Sequence, residues 1–190
     1  MKTLISEFVQ PQNLLLYLFA YGLASVPTSY FVARIIHRSK LEIHKVHSHT
    51  ASYWWQRLSK ASAILVFVFD LLKGLIPCAI ASSLDAPIEV IALVGFFAVV
   101  GHCFSVLLRF SGGQGGATFA GALFIISYPA AILTVLINYL LFAVNVHIGL
   151  ASMIASLLGA ILVFFLVSSK AAWLIVVAMV VVIFARDRLS

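Results

Sequence analysis

Apolar residues fill long stretches of this chain, and short polar breaks divide them. The first stretch spans roughly 12–36, from just after Pro11 to a basic patch, and ~20 residues suffice to cross a bilayer. A polar segment at about 37–59, HRSKLEIHKVHSHTASYWWQRLS, separates it from a second apolar stretch at roughly 60–83 that contains Asp70, Lys73 and Pro77. The turn SSLDAP leads into a third, at about 87–110. After a glycine-rich loop the apolar pattern continues to about 145, interrupted by SYP at Tyr128 and Pro129. Proline ends helices and restrains the residue before it, so this region is predicted as a short helix followed by a span. Two further spans, roughly 149–168 and 171–186, flank SSK. None of these runs alternates with period two, so about seven helices are predicted rather than barrel strands, the fourth too short to cross unaided.

Composition narrows the class. Of the 190 residues, 63% are hydrophobic and 9% are charged, and the mean hydropathy is +1.13. No soluble domain of this size hides so much apolar surface. The solvent is therefore lipid, where only helices or closed barrels satisfy the backbone. The expectation is an all-α polytopic membrane protein, one integral-membrane domain over 1–190 with motif segments near 37–59, 110–118 and 147–152 at one face. The first apolar stretch lacks a short hydrophobic region ending in a cleavage site, so it reads as a span and not as a cleaved signal. Cys78 and Cys103 lie in apolar surroundings and read as packing residues.

Charge sets the orientation. Of the twelve Lys and Arg, nine (Arg34, Arg38, Lys40, Lys45, Arg57, Lys60, Arg109, Arg186 and Arg188) fall on one side, Lys2 and Lys170 fall on the other, and Lys73 lies within a helix. This bias puts the N-terminus outside and the C-terminus, with the glycine loop, in the cytoplasm. The basic segment meets anionic lipid headgroups, with Tyr53, Trp54 and Trp55 as an interfacial belt. Membrane lipids are thus expected partners, and nucleic acid is not.

Several residues carry candidate chemistry. GHCFSVLLRFSGGQGGATFAG, residues 101–121, holds six glycines, and four of them surround Gln114. A glycine loop that opens a helix presents backbone amides to a phosphate, usually with a lysine, which is absent here. Asp70 and Lys73, three apart on one helix face, are either a self-neutralising pair or part of a polar site in the bundle. His102 is either a hydrogen-bonded core residue or a functional group near the loop. Ser152, at the start of the sixth helix, is either a cap or a donor to a phosphate oxygen. His44, His47 and His49 lack the spacing and partners of a metal site, with only Glu42 beside them, so no metal is expected.

SVPTSYFVARI, VFDLLKGLIP, the glycine loop and GLASMIAS resemble, in order and spacing, the bacterial acyl-phosphate:glycerol-3-phosphate acyltransferases of the PlsY type. The resemblance implies seven membrane helices with the N-terminus outside, in the bacterial inner membrane. It also implies transfer of a fatty acyl group from acyl phosphate to glycerol 3-phosphate, giving lysophosphatidic acid without metal or cofactor. By position it assigns Asp70, Lys73 and Gly74 to the second-helix motif and Gly101 and His102 to the start of the next. Gly112, Gly113 and Gly115 match its phosphate-binding glycines, Ala117 and Thr118 the pair that follows, and Ser152 the serine of the third cytoplasmic motif.

The chain departs from the pattern in its charges. Ser111 and Gln114 stand where the family has lysines. The first motif falls on VHSHTASY, where Ala51 and the threonine-like Ser52 survive, and the following arginine falls at Gln56 beside Arg57. The C-terminal tail is reduced to ARDRLS. A charged hydrogen bond to phosphate is worth roughly 1.5–3 kcal/mol against about 0.5–1.5 for a neutral one, so the losses amount to orders of magnitude unless Arg57, Arg109, Arg186, Arg188 or the histidines compensate. The expected catalytic group is His102, Ser152 and Gln114, with Ser111, Gly112, Gly113, Gly115, Thr118, Asp70, Lys73, Ser52 and Arg57 binding substrate. The alternatives are a catalytically impaired relative that binds lipid or serves as a scaffold, and an acyltransferase or phosphate-ligand transporter with a less anionic substrate.

Overall fold

The structure, a computed structural model, describes residues 6–36 and 59–189. Ser52, Arg57, the histidines 44, 47 and 49, and the aromatic belt lie outside the described residues. Those described form eight α-helices: α1 (Pro11–Ser25), α2 (Thr28–Ile36), α3 (Lys60–Ser83), α4 (Ile88–Cys103), α5 (Gly116–Ile126), α6 (Tyr128–Ala143), α7 (Ile148–Leu166) and α8 (Lys170–Leu189). Four segments are long and apolar enough to cross a membrane alone, namely Pro11–Val32, Lys60–Ser83, Ile88–Leu108 and Ile148–Leu166. Helix α8 has 20 residues but is charged at both ends, and α5, with 11, is too short, as the sequence predicted.

The eighth helix arises because the first predicted span is two. Pro27 has no N–H to donate, and Val26 before it is extended at φ −63° and ψ 123°, so α1 stops and α2 starts afresh at Thr28. The third span runs close to its predicted limits, but its α-helix ends at Cys103. Phe104 leaves helical geometry, a 3-10 turn covers Val106–Leu108, and Arg109 and Phe110 take left-handed φ of 51° and 64°. This reversal is tied down from α1: the buried Ser105 hydroxyl donates to Ser25 O at 2.6 Å, and Tyr21 Oη donates to Phe104 O at 3.0 Å. Ser59 caps α3, its Oγ accepting from Ser62 N–H at 3.2 Å.

Lipid offers no hydrophobic drive between helices, so association rests on close packing of small residues. Helices α3 and α5 show it best. A Cβ at Gly74 would strike the Thr118 carbonyl and one at Gly121 the Leu71 carbonyl, so the two backbones touch. Gly101 of α4 likewise abuts the Tyr21 backbone of α1. Leu15, Leu18, Ile64, Phe165 and Val181 point outward, as a lipid-facing surface requires. Cys78 and Cys103 are free and buried.

Candidate active site

The middle of α3 meets the start of α2 and the end of α4 in a buried polar knot. Asp70 of α3 and His102 of α4 are 4% and 7% exposed, and Lys73, one turn along from Asp70, is 5% exposed. Asp70 Oδ1 accepts from Thr28 Oγ1 at 2.7 Å and from Lys73 Nζ at 2.9 Å, while Lys73 also donates to Thr28 at 3.1 Å. His102 Nδ1 lies 3.6 Å from the same carboxylate oxygen. The opposite edge of the imidazole faces the glycine loop, since a Cβ at Gly113 would run into Nε2. Both readings of the Asp70–Lys73 pair therefore hold together: it is an intrahelical ion pair, and its carboxylate lines a cleft. Thr28 was not predicted. Pro27 just before it was the local signal that a new helix begins at Thr28, although not of what the side chain reaches.

The loop departs from the expected cradle. Gly112 N–H donates to Cys103 O at 3.1 Å and Gly113 N–H to His102 O at 3.0 Å. Those amides close the end of α4, so each of these two expected phosphate donors already has a backbone acceptor. Gly115 takes φ +84°, which glycine tolerates, and α5 starts at Gly116. Phe119 N–H is bonded back to Gly115 O at 2.8 Å, so Gly116, Ala117 and Thr118 are the N–H groups with no carbonyl four residues back inside the helix. With the helix dipole they make an anion-attracting end. The Thr118 hydroxyl is committed to the Asp70 carbonyl at 2.9 Å. Ser111 is exposed and does not line the cleft.

Side chains from α6, α7 and α8 complete the surroundings. Ser152 Oγ lies against Gly116, where a Cβ would come within 2.8 Å, and accepts from Asn138 Nδ2 at 3.1 Å. Asn138, a lone amide in the apolar run LINYLL, was the missed signal here. Gln114 Oε1 is buried with no hydrogen-bond partner among the described residues, and its Nε2 and the Asp187 carboxylate both face Gly149. Arg186 Nε and Nη2 both donate to Gly112 O, at 3.3 and 3.0 Å.

These groups meet in a cleft of about 70 Å³. Asp70, His102, Gln114, Gly115, Gly116, Asn138 and Ser152 form its polar wall, and Phe67, Ala120, Val135 and Ile148 its apolar one. Of the predicted residues, Asp70, His102, Gln114, Gly115 and Ser152 come together here, while Lys73 stands behind Asp70. No group of three metal-ligating side chains occurs among the described residues.

Comparison with known proteins places the chain in a family. The profile of the glycerol-3-phosphate acyltransferase family matches residues 14–189. A glycerol-3-phosphate acyltransferase of Campylobacter concisus is 38% identical over 119 residues, 59% of either chain. That of Bartonella quintana is 30% identical over 153 residues, 79% of this chain and 72% of its own. Crystal structures of PlsY, an integral membrane glycerol 3-phosphate acyltransferase, superpose with TM-scores of 0.83 in the lysophosphatidic acid form and 0.82 in the glycerol 3-phosphate form, at 27% and 28% identity. Each superposition covers 94% of this chain and 89% of the other. With a family profile spanning nearly the whole chain and a fold shared at that level, this membrane protein belongs to the glycerol-3-phosphate acyltransferase family.

Proposed function

We propose that this protein transfers a fatty acyl group from acyl phosphate to glycerol 3-phosphate at the cytoplasmic face of a bacterial inner membrane. The glycerol 3-phosphate hydroxyl oxygen forms the ester bond to the acyl carbon, the bond from that carbon to phosphate breaks, and the hydroxyl proton leaves with the phosphate. Lysophosphatidic acid and inorganic phosphate are the products. Within the family mechanism substrate phosphate helps take that proton, so the protein contributes position and charge stabilisation.

The amides at the start of α5 and the Gln114 side-chain N–H donors stand where the leaving phosphate is held. Ser152, braced by Asn138, donates to a substrate oxygen beside Gly116. Asp70 fixes the His102 ring, and His102 in turn sets the wall against Gly113. One observation carries the proposal: the α5 helix start, Gln114 and Ser152 share one cleft with the Asp70–His102 pair.

A second reading, a relative that binds lipid without turnover, draws on a different observation: no lysine or arginine side chain lines that cleft among the described residues. Assay of the purified full chain with a long-chain acyl phosphate and glycerol 3-phosphate separates the two. Lysophosphatidate formation is expected; none above background, with a family enzyme active alongside, rejects acyl transfer.

A further inference from the structure

Two cations are buried among the described residues, and their surroundings differ. Lys73 has Asp70 at 2.9 Å. Arg186, 9% exposed in the last turn of α8, has no carboxylate at ion-pair distance among the described residues. Two of its nitrogens converge on a single neutral acceptor, the Gly112 carbonyl. Keeping a guanidinium out of water against one peptide dipole is costly, and an anion nearby relieves that cost.

Its position tells where that anion sits. One turn back, Ile183 packs where a Gly115 Cβ would stand, so the end of α8 underlies the loop that opens α5. The stretch FSGGQGGAT at 110–118 contains no cation of its own, whereas glycine loops that hold phosphate ordinarily include a lysine. The exposed Arg109 and Arg188 do not line the cleft. Neither do Arg186 and Gly112, so the bond between them lies behind the loop and the guanidinium acts through it.

We propose that Arg186 is a positioning residue that supplies, from α8, the positive charge the glycine loop lacks. It draws the Gly112 carbonyl behind the loop and biases the α5 helix start toward a phosphate group. This inference rests on the cleft being a phosphate site.

The test measures the dissociation constants of inorganic phosphate and glycerol 3-phosphate for the detergent-purified full chain, by calorimetric titration. Arg186→Gln, which keeps a donor for Gly112 but removes the charge, is expected to weaken both by about tenfold, and Arg186→Lys by less than about threefold. Gln114→Lys in the Arg186→Gln background is expected to recover at least half of that loss, on a logarithmic scale. A purely structural arginine predicts otherwise, because a lysine in the loop does not repair the α8 contact. The double variant also keeps the test valid if Arg186→Gln lowers stability. Undetectable phosphate binding by the wild type, a loss of less than threefold for Arg186→Gln, equal losses for Gln and Lys, or no recovery in the double variant each overturns the proposal. Turnover measured alongside keeps the two questions apart. A wild type that binds phosphate but forms no lysophosphatidate refutes acyl transfer alone, whereas an active wild type with normal phosphate binding in Arg186→Gln refutes the Arg186 role alone.

Discussion

Removing the Asp70 carboxylate tests the polar knot. Asp70→Asn leaves Lys73 buried with neutral acceptors alone, the Thr28 hydroxyl at 3.1 Å and the new amide oxygen. Breaking a buried pair from one side costs about 3–5 kcal/mol, because the surviving charge is stranded. For a chain of this length each kcal/mol moves the melting temperature by about 2–4 °C, so the expected fall is on the order of 10 °C. Lys73→Met leaves the carboxylate with Thr28 at 2.7 Å and His102 at 3.6 Å, and is expected to cost less. In the double variant neither charge remains, so its loss falls short of the sum by at least about 2 kcal/mol. Thermal unfolding of the four proteins in one detergent, followed by circular dichroism, supplies the cycle. Additive losses, or single losses under about 1 kcal/mol, would show that water screens the pair, and the argument from burial would fail.

The cleft yields further tests. Gly113→Ala drives a Cβ into His102 Nε2 and is expected to lower kcat/KM by at least about tenfold, since small displacements of positioning groups are expensive. Gly22→Ala, with open space around its Cβ, serves as the control and is expected to leave kcat/KM unchanged while stabilising α1 by about 0.5–1 kcal/mol. Ser152→Ala, which removes the acceptor of the Asn138 amide, is expected to reduce kcat/KM about tenfold; unchanged kinetics would remove Ser152 from the site. Gly74→Ala, whose Cβ meets the Thr118 carbonyl, is expected to abolish recovery of folded protein in size-exclusion chromatography.

The helices were legible where their limits are local. The second span was expected at 60–83 and is found there, because Ser59 caps one end and SSLDAP turns the chain at the other. Proline is a less faithful guide. Pro129 opens α6 as predicted and Pro27 breaks the first span unpredicted, yet Pro77 sits inside the 24-residue α3 without ending it. Whether a proline interrupts a helix depends on what else satisfies the freed carbonyl, and that is decided by neighbours.

The site follows the same division. His102 and Gln114 were identifiable as polar residues next to glycines and Ser152 as a serine near a helix start, and all three line the cleft. Which amides remain free for an anion was not identifiable. That follows from the reversal at Arg109 and Phe110, two left-handed residues whose side chains give no hint of it. Thr28 reaches Asp70 across 42 positions and Arg186 reaches Gly112 across 74, so only the folded bundle reveals either contact.

The touching backbones of α3 and α5 also decide which wall of the cleft can give way. A seam with carbonyls in the place of side chains has no slack, so those two helices respond to a ligand as one slab. Across the cleft, α6 buries only Ala130, Ala131 and Thr134 over its 16 residues and begins at a proline break. Thr134 and Asn138 of this helix line the cleft, and Thr134 Oγ1 sits where a Gly159 Cβ of α7 would fall. Entry of anything larger than the resting volume of the pocket must therefore leave the α3–α5 seam closed and be met on its other walls.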